Sequence, residues 1–504
     1  MIRIAQTENG MVRGIEAADP RITAFKGIPF AAPPVGENRW RAPQPCENWE
    51  GVREAYRFAP ISVQDTPGLG DDIYCREWHV DPEIDMGEDC LYLNIWTSAK
   101  TAEEKQPVLV WFYGGGLQWG YPAEMEFDGE RLARRGVVVV TVNYRINVFG
   151  FLAHPQITKE QPDAPANFGS LDQQAGLRWV VRNIEAFGGD PKNITIAGQS
   201  AGGGSVMSQM TCPDNFDLFQ KAVVMSAMIR SPYFEGSVGI PEPLGEAEKN
   251  GEKFFEFLGV KNLEEARALD AFYIRDKYAE YAGEHPRMFT VLDNKFCVGD
   301  PMVLFREGKH ADVHVMAGNT SDEFPNFLTA DSPEELRKQA IELYGERAEE
   351  FLRFPETQHK DEQGRYAVVS GIECTVKSLF AEKSGSGRNH YYYRFDPDIP
   401  GWDDPGTFHS VDLWFFFETL AKCWRPFVGR HYDLARQMCN YWANFIKTGD
   451  PNGADADGSP MPEWKPYTME APCEMIFSSE GPVTNLGSEN PFKMFLMDEI
   501  VRKL

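Results

Sequence analysis

Short, strongly apolar runs recur along the chain, each closed by turn residues: Pro107 to Tyr113, Val137 to Asn143, Ile194 to Ala197, Ala222 to Met225 and Val313 to Ala317. None alternates with polar residues. A short strand that is apolar at every position is buried on both faces, as in a central sheet covered by helices. Helical spacing fills the gaps. Between Leu171 and Phe187, residues Leu177, Val180, Val181 and Ile184 share one side, and Gly188-Gly189 supplies the stop. Strands alternating with helices predict an α/β fold whose sheet is mostly parallel through its middle. The aromatic run Tyr391 to Phe395 predicts a late strand of the same sheet. From Glu242 to Glu284 and from Ser332 to Phe354 the pattern becomes helical and charged. These stretches predict helical insertions, over about 230–290 and 330–385, that wall a pocket within one domain spanning 1–504. Length alone would suggest about three domains, but large α/β enzymes often run as one.

Charge narrows the partners. With 76 acidic and 50 basic residues the formal charge is −26, which argues against nucleic acid or an anionic membrane surface. No apolar run approaches the ~20 residues needed to cross a bilayer. The start, Met1-Ile2-Arg3-Ile4-Ala5, has no apolar signal core, so a soluble, cytoplasmic protein is expected unless a signal has been trimmed. The nine cysteines are odd in number and include no Cys-x-x-Cys pair, so neither zinc nor another metal is expected. Most thiols should be reduced; Cys75 and Cys90 could close one loop.

The most informative chemistry is Gly198-Gln199-Ser200-Ala201-Gly202, set between the apolar run Ile194 to Ala197 and a helix-compatible stretch. A serine that attacks an ester must stand clear of the backbone on a sharp turn. Glycines two before and two after remove the side chains that would clash there. The alternative is a glycine-rich turn whose serine caps a helix. A serine hydroxyl needs a base, and the base needs an acid to orient it. In nucleophile-elbow hydrolases both follow the serine in chain order, acid first. Asp322 and Glu323, after the Val313 to Ala317 strand and the turn Gly318 to Ser321, are equal candidates for the acid. His409, in a turn before an aromatic run, is placed better for the base than His285, His310, His390 or His431. Gly114-Gly115-Gly116, directly after a buried strand, can turn backbone amides toward an oxyanion, and the amide of Ala201 is a further donor.

Taken together, these stretches resemble the type-B carboxylesterases, the family that includes the cholinesterases. The likeness extends through Glu88-Asp89-Cys90-Leu91-Tyr92-Leu93-Asn94-Ile95, Phe25-Lys26-Gly27-Ile28-Pro29-Phe30-Ala31, Asn143-Tyr144-Arg145, Asn167-Phe168-Gly169, Leu171-Asp172-Gln173, Phe187-Gly188-Gly189-Asp190-Pro191 and Lys447-Thr448-Gly449-Asp450-Pro451-Asn452. It covers nearly the whole chain. The resemblance implies an α/β-hydrolase fold and cleavage of small-molecule carboxylic esters through an acyl-enzyme, with no cofactor. It implies Ser200 as nucleophile, Glu323 rather than Asp322 as acid, His409 as base, and Gly115, Gly116 and Ala201 as the oxyanion hole. Ser226 and Asp412 match positions that support the triad in relatives.

The chain departs from the family pattern at three places. Gln199 replaces the usual glutamate before the nucleophile, which removes a negative charge beside the serine. Phe324 replaces a glycine after the triad acid. Met225-Ser226-Ala227 replaces Gln-Ser-Gly. Trp119, Phe324, Phe327, Trp414 and Phe415 are candidates to line a pocket for a bulky acyl group, such as a hydroxycinnamoyl (feruloyl-type) ester on a plant carbohydrate; the alternative, preferred for most of them, is that they belong to the core. Some relatives have lost the triad and act as adhesion or scaffold proteins; here every triad residue type is present.

Overall fold

The computed structural model describes residues 1–233, 239–383 and 387–504. Among them, eleven strands form one sheet. In chain order these are β1 (Ile15–Glu16), β2 (Thr23–Pro29), β3 (Tyr92–Thr97), β4 (Gln106–Phe112), β5 (Val138–Val142), β6 (Gly189–Gln199), β7 (Lys221–Met225), β8 (His314–Thr320), β9 (His390–Asp396), β10 (Cys473–Ser478) and β11 (Gly481–Leu486). Their spatial order is β11-β10-β9-β8-β7-β6-β4-β5-β3-β2-β1. Neighbours from β5 through to β10 are parallel, and the outer strands pair antiparallel.

Burial on both faces explains the unbroken apolar runs. Along β4, Leu109 and Trp111 enter one core with Tyr113, while Val108, Val110 and Phe112 enter the other. The second core is closed by α1 (Phe168–Asn183) and α2 (Ala201–Thr211) through Leu177, Val180, Val206 and Met210. Each such side chain contributes roughly 1.5–3 kcal/mol when fully buried. Helix α1 starts three residues before the predicted Leu171, and its last turn tightens to a 3-10 helix, Ile184–Phe187, that ends on left-handed Gly188. Strand β8 runs on through Thr320, beyond the predicted end at Ala317, because Asn319 and Thr320 pair in register with Arg394 and Phe395.

Within the first insertion, 230–290, where residues 234–238 lie outside the described residues, two longer helices are present. Helices α3 (Leu244–Leu258) and α4 (Ala271–Tyr281) pack Phe254, Phe255, Ile274 and Tyr278 against Trp40, Phe149 and Phe151. In the second, α5 (Pro333–Tyr344) packs against the C-terminal helix α6 (Pro491–Lys503) through Leu336, Tyr344, Phe492 and Phe495. This region is not wholly helical. Asn326–Ala330 pairs antiparallel with Tyr366–Ser370 and brings Phe327 opposite Val369. All nine cysteines are free thiols, so no bridge joins Cys75 to Cys90. No helix among the described residues is long and apolar enough to cross a membrane.

Candidate active site

Strand β6 ends at Gln199, and α2 begins at Ala201. Ser200 between them takes φ 55° and ψ −127°, a strained conformation for a residue with a side chain, costing of order 1–3 kcal/mol. Its amide donates to the Met225 carbonyl at 2.9 Å and its carbonyl accepts from Gly204, so the turn is pinned from both sides. A Cβ on Gly202 would lie 2.1 Å from the Phe112 carbonyl oxygen, and one on Gly198 would lie 2.4 Å from the Gly202 backbone. The two glycines are thus what lets helix, strand β4 and elbow meet, and the Ser200 side chain remains partly exposed.

The loop after β4 lies against this turn: a Cβ on Gly114 would stand 3.2 Å from that of Ser200. Gly115 and Gly116 have φ of 99° and 63°, a region glycine enters without steric cost. The Gly115 carbonyl accepts from the amides of Gln118 and Trp119. Among the described residues the amides of Gly115, Gly116 and Ala201 donate to no protein acceptor. Unpaired backbone N–H groups are the kind of donor that receives a developing negative charge, and that of Ala201, next to Ser200, also carries the positive end of a helix dipole.

Glu323 follows β8 by three residues, and His409 follows β9 on a longer loop. The imidazole Nδ1–H donates to Glu323 Oε2 at 2.6 Å, with both side chains almost completely buried. The other carboxylate oxygen accepts the Thr320 amide at 3.2 Å. Burial alone would raise the Glu323 carboxyl; the His409 charge and hydrogen bond, the nearby Ser226 hydroxyl and the Thr320 amide outweigh it and hold the group below the ordinary carboxylate range. Asp322 has a different task. Its Oδ2 accepts the Thr407 amide at 2.7 Å and the Thr407 hydroxyl at 3.1 Å, which clips the histidine loop to the acid loop. Nε2 of His409 faces the carboxamide nitrogen of Gln199 at 3.3 Å, so the ring stands beside the elbow. Among the described residues Ser200 Oγ makes no hydrogen bond; such contacts often form only with substrate bound.

Ser226, Asp412 and Gln199 lie close to the histidine and its carboxylate partner. Ser226, at φ 49°, is fully buried and approaches Glu323, yet its hydroxyl makes no full hydrogen bond. Asp412 is fully buried and accepts the Tyr393 hydroxyl at 2.9 Å, while its Oδ1 has no partner. Burial pushes its carboxyl up to about 7; the Tyr393 hydrogen bond lowers it and Glu323 raises it further. Gln199 touches the imidazole directly.

The pocket candidates divide. The ring of Phe324, 58% exposed, lies 4.6 Å from the imidazole, centroid to centroid. Phe327 is exposed on the neighbouring strand pair. Trp119 flanks the glycine loop, with its indole N–H on Asp65 and the Arg287 guanidinium 4.9 Å from its ring. Trp414 and Phe415 do not line an open pocket. Both are fully buried in the main core, where Trp414 donates to Glu77 and Phe415 meets Phe395 edge-on. The aromatic run after His409 is a core anchor for the loop.

Several positioning residues escaped the sequence reading. Tyr113 and Tyr144 stack at 4.2 Å, and each hydroxyl donates to the other's carbonyl oxygen, which fixes the end of β4 before the glycines. Buried Arg145 and Asp172 form a two-pronged ion pair. Gln64 binds both the amide and the carbonyl of Gly120. The motifs containing Tyr144, Arg145 and Asp172 were visible; nothing marked Gln64, which lies 56 residues from its partner. Among the described residues no group of three His, Cys, Asp or Glu side chains converges as a metal would require.

Residues 2–491 match the carboxylesterase family. The chain is 30% identical to a cholinesterase of Mus musculus, over 94% of this chain and 84% of that protein. It is 32% identical to a fumonisin B1 esterase of Sphingopyxis macrogoltabida, over 89% and 82%. Among solved structures it superposes on the Geobacillus stearothermophilus carboxylesterase EST55 with TM-score 0.74 and 29% identity, and on a PNB esterase with TM-score 0.77 and 27% identity. Each alignment covers 98% of this chain and 100% of the other.

Proposed function

The chain belongs to the carboxylesterase family and is a carboxylic ester hydrolase, and we propose that it works by covalent catalysis from Ser200, with His409 as base and Glu323 as its orienting acid. His409 Nε2 takes the proton of Ser200 Oγ as that oxygen bonds to the ester carbonyl carbon. The carbonyl oxygen becomes an oxyanion held by the amides of Gly115, Gly116 and Ala201. The intermediate collapses, the bond to the alkoxy oxygen breaks, and His409 returns the proton to the departing alcohol. Water then repeats the sequence on the acyl-enzyme and restores Ser200. The observation that carries this reading is the buried 2.6 Å contact between His409 Nδ1 and Glu323, which leaves Nε2 beside the strained turn.

Phe324 favours a bulky, apolar acyl group, since it exposes aromatic surface next to the imidazole, and Phe327 three residues on is exposed as well. A hydroxycinnamoyl ester is the specific form of that reading, as its ring can stack on Phe324. Nine free thiols suit a reducing, cytoplasmic setting. The test is Ser200→Ala: the variant should keep the fold by circular dichroism and lose both p-nitrophenyl ester turnover and fluorophosphonate labelling. Turnover retained in that variant removes Ser200 from the mechanism.

A further inference from the structure

In a neutral ring whose Nδ1–H is given to Glu323, Nε2 carries a bare lone pair. That lone pair meets the carboxamide N–H of Gln199 at 3.3 Å. Gln199 is buried and is the last residue of β6, so the strained turn that presents Ser200 also aims this side chain. Its carbonyl oxygen lies against Gly114, 3.2 Å from where a Cβ would stand. The amide is therefore held between the glycine loop and the imidazole.

We propose that Gln199 is a positioning residue: it keeps His409 neutral and accepting at Nε2 until substrate brings Ser200 into its place, and it sets the acid limit of the reaction. The inference rests on His409 acting as base. A donor on the lone pair stabilises the neutral ring and opposes protonation. A carboxylate of the same shape, the family's usual residue here, would stabilise the imidazolium instead. Among the described residues, the titratable groups that bear on the ring are Glu323 from the loop after β8, Asp412 from the ring's own loop and Tyr393 of β9 behind Asp412, while Tyr74 of the short helix Ile73–Glu77 lies within the field of Glu323. Glu323, and Asp412 when ionised, both favour the charged ring. The neutral amide is the neighbour that resists it.

The experiment is the pH dependence of kcat/KM for p-nitrophenyl butyrate, from pH 5 to 9, in the parent enzyme, Gln199→Glu and Gln199→Met. The acidic limb of that profile reports the free base. Gln199→Glu should move it upward by about one pH unit. Gln199→Met, of similar length but without a donor, should move it upward by less. Should Gln199→Glu fail to fold, the Met variant alone decides. Limbs that coincide with the parent's, in proteins of unchanged melting temperature, overturn the role of Gln199. Fluorophosphonate labelling of the parent separates the two readings. No label on Ser200 defeats the catalytic assignment itself, whereas a labelled Ser200 with unmoved limbs defeats only the role of Gln199.

Discussion

Asp322 accepts the backbone amide of Thr407 at 2.7 Å, two residues ahead of the imidazole that its neighbour Glu323 holds from the side. The two loops also meet as a short parallel bridge between Asp322 and Phe408. One acid fixes where the histidine loop lies; the next fixes how its ring turns. Replacing each should therefore fail differently. Glu323→Gln should lower kcat by about 10²–10⁴-fold with little loss of stability, because it misorients the base without unseating the loop. Asp322→Ala should cost about 1–2 kcal/mol in urea unfolding, through two lost hydrogen bonds, and lower kcat far less. Equal kinetic defects in the two variants would contradict this division.

Two glycines near the elbow offer a direct steric contrast. Gly202→Ala should destabilise by about 3 kcal/mol or more, since its Cβ would sit 2.1 Å from one backbone oxygen and 2.6 Å from another. Gly204→Ala, two residues on in the same helix with nothing within 4 Å, should stabilise by about 0.5–1 kcal/mol. Chemical denaturation of both variants checks the pair; a Gly202→Ala protein as stable as its parent would refute the close approach.

Asp412 ties stability to pH. Its carboxyl is raised from the ordinary 3.8 to about 7, so between those values the folded protein holds a proton that the unfolded chain has released. Stability from this group therefore falls as pH rises through that window, and the penalty is complete above about pH 7. Asp412→Asn keeps an acceptor for Tyr393 and removes the penalty. It should be more stable than the parent at pH 8, by up to about 4 kcal/mol, with the gain vanishing near pH 4. A gain that does not change with pH would contradict the buried, protonated acid.

Phe324 is expected to discriminate among substrates. Removing its ring in Phe324→Ala should reduce kcat/KM about 10-fold for hydroxycinnamoyl and other aromatic esters, the value of one aromatic contact. A short acetyl ester should change little. Uniform loss across both ester classes would make Phe324 a support for His409, not a wall of the pocket.

Much of this molecule was legible in the order of its residues, because the features concerned are short-range. The runs around Leu109, Val139 and Val223 announce strands buried on both faces, and spaced glycines around Ser200 announce a turn that larger residues would block. Both follow from sterics and burial within a few consecutive positions. Contacts between distant segments were different. The composition at Trp414 and Phe415 admits a pocket as well as the preferred core, and both pack in the core, against Phe395 and Glu77. Asp322 and Glu323 are chemically alike and adjacent; the backbone path beyond the end of β8 sends the first to Thr407 and the second to His409. Gln199 meets an imidazole 210 residues away. Side-chain direction after a long chain closure depends on how whole elements pack, and no local pattern encodes it.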